Sequence, residues 1–62
     1  MAEYPDEVPA ATMIVREYRR ATASLLQRRL KIDYPRADEL LIQLERLGII
    51  SPLDDQGQRH VI

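Results

Sequence analysis

Cysteine is absent from this chain of 62 residues, and that narrows the possible folds more than any motif does. A domain so short gains little more from burying apolar surface than it loses in chain entropy, so many of its kind need disulfides, a metal or a partner. Disulfides are excluded. With one histidine and no cysteine, a structural zinc site of the usual Cys/His type cannot be assembled from this chain, and no metal or other cofactor is expected. What remains is a single domain held by side-chain packing. The apolar runs are a few residues long, far short of the roughly 20 needed to cross a bilayer. The stretch from Met1 to Pro9 is acidic rather than basic and then apolar. These features predict a cytoplasmic domain that makes no membrane contact.

The spacing of apolar residues predicts three helices. The first begins near Asp6 as N-cap, carries Pro9 in its first turn and runs to about Arg20, with Ala11, Ile14, Val15 and Tyr18 along one face. A second, capped by Ser24, extends to about Ile32, with Leu25, Leu26 and Leu30 inward and Gln27, Arg28, Arg29 and Lys31 outward. The turn Ile32-Asp33-Tyr34-Pro35 breaks the pattern, because the residue before a proline avoids helical geometry while proline itself suits a first helical position. The third helix then runs from Pro35 to about Leu47, with Ala37, Leu40, Leu41, Leu44 and Leu47 inward, and Gly48 stops it. Two short apolar segments, 49–53 and 59–62, flank the polar turn 54–58 and read as a β-hairpin with Pro52 on an edge. The expected fold is therefore mostly α: a winged helix-turn-helix of three helices followed by a β-hairpin wing. It spans residues 6–62, with 1–5 as an N-terminal extension.

The net charge of -1 conceals an uneven distribution. From Arg16 to Arg36 there are seven basic residues against two acids, whereas the rest of the chain carries two basic residues against eight acids. Such a chain presents one cationic side, whose field can attract phosphate although the total is near zero. In a helix-turn-helix the second of the two coupled helices enters the major groove of DNA. Here that is the third helix, whose outward stripe Arg36, Glu39, Gln43 and Arg46 bears groups able to read base edges. Arg28, Arg29 and Lys31 suit backbone phosphates, which fix register without reading sequence, and Arg59 with His60 on the wing can reach an adjacent groove or phosphate. The same stripe also fits an ordinary solvated helix face with pairing at three- and four-residue spacing. Tyr18 and Tyr34, on or beside inward stripes, are expected in the core.

At Arg19-Arg20-Ala21-Thr22-Ala23-Ser24-Leu25-Leu26-Gln27-Arg28-Arg29-Leu30, at Tyr34-Pro35-Arg36-Ala37 and on through Gly48-Ile49-Ile50, the chain resembles the gamma domain at the C-terminus of FtsK/SpoIIIE DNA translocases. The resemblance runs from Arg19 to Ile50 without a gap. It implies a winged helix that recognises short, asymmetric DNA sequences and so directs a hexameric ATPase motor along the chromosome. A contact with the site-specific recombinase that resolves chromosome dimers is implied as well. Carried over residue by residue, Arg19, Arg20, Arg28, Arg29 and Arg36 would face phosphate. The departures lie at the reading positions. Where the family commonly has Asn or Thr, then Arg, then a second Arg three residues on, this chain has Pro35, Arg36 and Glu39. Asp38 replaces a family alanine, and Ile42 stands where the family tends to have Asp. Retained DNA binding with a weakened or altered guanine preference is expected.

Two functional classes follow. In the first, the domain binds double-stranded DNA through Arg19, Arg20, Arg28, Arg29, Lys31, Arg36, Glu39, Gln43 and Arg59, with the translocase motor in the same or another chain. In the second, a winged helix whose recognition surface has turned acidic meets a protein, either the recombinase or another copy of itself. Neither is an enzyme. His60 is the only histidine and lies two residues from the end, which disfavours a triad with Ser24 or Ser51. No Gly-rich phosphate loop is present, and Asp54 and Asp55 lack the other ligands of a calcium loop and read as turn residues.

Overall fold

A computed structural model describes residues 7–62, so the extension 1–5 and the Asp6 cap lie outside the described residues. Three helices follow in order, α1 (Glu7–Tyr18), α2 (Ala23–Leu30) and α3 (Tyr34–Arg46). The cap of α2 is Thr22 rather than Ser24. Its extended backbone points the hydroxyl at the Leu25 amide, which donates to it at 3.3 Å, so Ala23 and Ser24 join the helix. Asp33 caps α3 in the same way, accepting from the Arg36 amide at 3.1 Å, with Pro35 in the first turn where its missing N–H costs nothing.

Both long helices close with an amide that reaches back five residues past a left-handed position. After α3 the Ile49 amide donates to Leu44 and the Gly48 amide to Glu45, both at 3.0 Å, while Gly48 takes the left-handed φ of 79° that this closure requires. After α1 the Arg20 amide reaches back to Val15 at 3.2 Å, and the left-handed residue is Arg19, with φ 55°. Lys31, φ 59°, ends α2. A non-glycine residue in this region is disfavoured. A cation there does complement the negative end of the helix dipole, and its side chain is projected off the helix end.

The core is one apolar cluster: Ala11 and Val15 of α1, Ala21, Leu26 and Leu30 of α2 and its approach, Ala37, Leu40, Leu41 and Leu44 of α3, and Ile50. Every inward position expected on α3 is buried except Leu47, which caps the helix and is exposed. Leu25 is only half-buried. Tyr18 and Tyr34 are not core residues. They sit at the last turn of α1 and the first turn of α3, where each helix leaves the cluster, and are 40% and 58% exposed.

The expected β-hairpin is reduced to a single antiparallel bridge between Ile50 and Val61, and the described residues form no strand. Side chains have taken the bonds a ladder would use. The Ser51 hydroxyl accepts from the His60 amide at 2.9 Å, the Ser51 carbonyl accepts from the Arg59 guanidinium at 3.2 Å, and Pro52 has no N–H to give. Four backbone bonds survive along the return: Ser51 to His60 at 2.8 Å, Asp54 to Gln58 at 2.8 Å, Gly57 to Asp54 at 2.9 Å and Ile62 to Ile49 at 2.9 Å. Its tip is organised by the Asp54 carboxylate, which accepts from the Gln56 and Gln58 amides at 2.9 Å each and faces His60 Nε2 at 3.1 Å. No helix among the described residues is long and apolar enough to cross a membrane.

The amide of Gln58, foremost, and the His60 side chain hold the Asp54 carboxyl below its ordinary range. Stabilisation from a depressed carboxyl is present above its unfolded pKa and is lost as pH falls through the lower folded value. The amide resonances of Gln56 and Gln58 are therefore expected to titrate together, with a midpoint below the usual aspartate value of about 3.9. In Asp54→Asn that step should be absent.

Candidate nucleic-acid interface

The nine residues singled out from the sequence separate into three groups. Arg19, Arg20, Arg28, Arg29 and Lys31 form the first group, and all five are exposed. The Arg29 guanidinium lies over the Tyr18 ring, 5.3 Å from its centroid. This contact sets the last turn of α2 beside the end of α1, which Arg19 and Arg20 follow directly in the chain. Among the described residues, Arg19, Arg20, Arg28 and Lys31 form no ion pair with a carboxylate. Their charge faces solvent. The exposed position of Tyr18, unforeseen from its place on a helical stripe, gives the Arg29 cation an aromatic surface to rest on.

Arg36, Glu39 and Gln43 belong to the second group, on α3. Arg36 Nε donates to Glu7 Oε1 at 2.6 Å, Nη2 meets the same oxygen, and Nη1 meets Glu39 Oε1 at 2.9 Å. All three nitrogens are thus engaged by carboxylates, one reaching across from α1. The hydrogen bonds that Arg36 donates, to Glu7 first and then to Glu39, raise its pKa above its already high ordinary value. Glu39 is exposed, Gln43 one turn on is half-buried and Arg46 beyond it is exposed. With Asp33 and Asp38 close by in sequence, the first turns of α3 carry more negative than positive charge.

Arg59 stands alone in the third group. Its side chain is 9% exposed, Nη1 donating to Glu45 Oε1 at 2.7 Å and to the Ser51 carbonyl at 3.2 Å. The guanidinium is turned inward, away from the exposed position expected of a wing cation, and ties the 50–61 return to α3. His60 remains exposed and is paired with Asp54.

An open groove of about 530 Å³ is lined by Arg19, Arg20 and Arg59, by Tyr34 and Asp38 of α3, and by Leu53 and Gln58 of the return. Glu7, Glu45, Tyr34 and Asp38 were not among the expected site residues. Glu7 and Arg36 are 29 positions apart, a separation at which no spacing rule pairs residues. Tyr34, expected in the core from its place beside a helical stripe, lines the groove instead.

If Arg59 is a tie and not a phosphate ligand, two changes separate the possibilities. Arg59→Ala and Glu45→Gln are each expected to destabilise the domain by about 1–3 kcal/mol, the cost of breaking a partly buried charged hydrogen bond, as measured by chemical denaturation. Neither should reduce the salt dependence of binding to a duplex.

A family model described as the FtsK gamma domain matches residues 4–62. The chain is 42% identical over 52 residues to a DNA translocase FtsK of Pseudomonas putida, a match covering 84% of this chain and 6% of the relative. It is 39% identical over all 62 residues to a DNA translocase FtsK of Rhizobium meliloti, covering 7% of that protein. A third, from Caldanaerobacter subterraneus, is 44% identical over 52 residues, covering 84% of this chain and 7% of the relative. The chain thus spans less than a tenth of the length of the translocases it matches. Since the family model extends over nearly the whole sequence, the chain belongs to the FtsK gamma domain family.

Proposed function

We propose that this domain binds double-stranded DNA and serves as a non-catalytic accessory to a DNA translocase, biasing the motor through recognition of short asymmetric sequences. In this reading the three helices and the 50–61 return act as a winged helix over residues 6–62, with 1–5 as an extension. The supporting observation is that Arg19, Arg20, Arg28, Arg29 and Lys31, all carried by α2 and the turns at its two ends, are all exposed, with Arg29 set against Tyr18 at the end of α1. Among the described residues Arg19, Arg20, Arg28 and Lys31 form no ion pair with a carboxylate, although the chain carries more acids than bases. Opposite charges elsewhere in the molecule have found each other. The relatives bear the name DNA translocase, and the motor would lie in a longer parent chain or in a partner. A site-specific recombinase is a further partner, and the domain itself works in the cytoplasm without touching a membrane.

On this reading α2 and the α1–α2 turn hold phosphates, and α3 with Glu39, Gln43 and Arg46 lies along the bases. Glu39 is an acceptor where the resemblance expects a guanine donor. It can take a hydrogen bond from the amino group of cytosine, so the preferred sequence should differ from a guanine-rich one. A second reading is favoured by one observation, the acidic first turns of α3: the same face would meet a basic protein surface. Ionic strength separates the two. Neutralising about five phosphates makes affinity fall on the order of 10²–10³-fold between 50 and 200 mM salt, a much steeper response than an interface with an apolar centre would give.

Fluorescence anisotropy on a labelled duplex tests the phosphate contacts. Arg28→Ala and Arg29→Ala are each expected to weaken binding equally on all sequences and to lower the slope of log affinity against log salt by about 0.9. A wild-type slope near zero would contradict DNA binding. For the reading helix, site selection from a random duplex pool with Glu39→Arg is expected to shift preference toward guanine at one position. Equal weakening on every sequence would remove α3 from that task.

A further inference from the structure

We infer that Glu7 is a positioning residue of the DNA interface that acts through Arg36: together with Glu39 it holds the guanidinium between α1 and α3 and withholds one phosphate contact from the duplex. This rests on the DNA-binding reading above.

The geometry identifies Glu7 as the dominant hold. Its Oε1 takes both Nε and Nη2 of Arg36, the same edge that grips a phosphate with two parallel hydrogen bonds. A carboxylate oxygen therefore sits where a phosphate oxygen would. The pair with Glu39 is weaker, an exposed contact three residues along one helix that solvent and salt screen. Glu7 is less open to water, its side chain 27% exposed against 63% for Glu39. It also belongs to a different helix, so its grip depends on α1 being docked against α3 rather than on a local rotamer.

Arg36 is not out of reach of a ligand. Its side chain is 40% exposed, and it stands in the first turn of the helix expected to meet DNA. What opposes a phosphate contact is the exchange it would require. A phosphate taking the Nε–Nη2 edge must expel Glu7, and it then lies beside a carboxylate that has lost its counter-charge. The arginine already has its counterions in covalent attachment to the chain, so binding it to DNA releases no net cation charge to neutralise phosphate. Remove the Glu7 charge while keeping its shape, and Arg36 joins the phosphate-binding set. Glu7 thereby keeps general duplex affinity low, which raises the share of binding that depends on bases.

The test compares the full chain with Glu7→Gln and with the double change Glu7→Gln/Arg36→Ala, on a duplex of arbitrary sequence between 50 and 200 mM salt. Glu7→Gln is expected to steepen the log–log salt slope by about 0.9, so that the fourfold dilution of salt gains it roughly threefold more affinity than the wild type. In the double change the slope should return to the wild-type value. An unchanged slope in Glu7→Gln overturns the inference, as does a steeper slope that persists without Arg36, since that would report only a lost negative charge. A second measurement needs no variant: the Arg36 Nε–H resonance of the wild type is expected to stay in place when duplex is added, and its displacement would overturn the inference. Wild-type protein that shows no salt-dependent binding, and is unaffected by Arg28→Ala, would instead remove the DNA-binding reading itself and this inference with it.

Discussion

The packing of α2 against α3 is the interaction on which everything else in this domain rests. Leu26 and Leu30 from one helix and Ala37, Leu40, Leu41 and Leu44 from the other supply six of the ten buried apolar residues. With no disulfide available, burial of these side chains at about 25 cal/mol per Å² is the principal force opposing chain entropy. No charged residue belongs to the apolar cluster. The arginines lie outside it, where each either finds a carboxylate, as the largely covered Arg59 does, or faces solvent.

That choice divides the molecule. Arg36 and Arg59 have found carboxylates on other elements, and each fastens a peripheral segment to α3: Glu7 of α1 in one case, the 50–61 return in the other. These ion pairs do part of the work that a ladder or a larger core would do. The cations of α2 and the α1–α2 turn are placed differently. Arg19 and Lys31 occupy left-handed positions at helix ends, Arg28 and Arg29 lie opposite the buried stripe, and Arg29 rests on Tyr18. One set of positive charges serves the fold, while Arg19, Arg20, Arg28 and Lys31 face solvent.

The sequence discloses what is periodic and hides what is not. The buried stripe of α3 is legible because Ala37, Leu40, Leu41 and Leu44 recur at helical spacing, and Gly48 is legible because only glycine takes that closing turn without strain. The cap of α2 is less so, since Thr22 and Ser24 are equally good acceptors and only the path of the chain after Arg19 decides between them. The wing is misread for a related reason. Its two apolar segments do return antiparallel, but Ser51 and Arg59 take the bonds of the ladder with their side chains, an outcome no alternation of residues encodes. At the interface the exposed arginines are recognisable from their position opposite leucines. The inward turn of Arg59 and the capture of Arg36 by Glu7 depend on contacts 14 and 29 residues apart, which spacing cannot reveal.

The most direct measurement is a titration of unlabelled duplex into isotopically labelled protein, following each backbone amide. If the α2 side holds the nucleic acid, resonances from Arg19 to Ala23 and from Gln27 to Lys31 move at low salt and return toward their free positions as salt is raised, with those of the first turns of α3 following the base sequence. Movement confined to the remote ends of α1 and the 53–58 turn, or none at low salt, would contradict it.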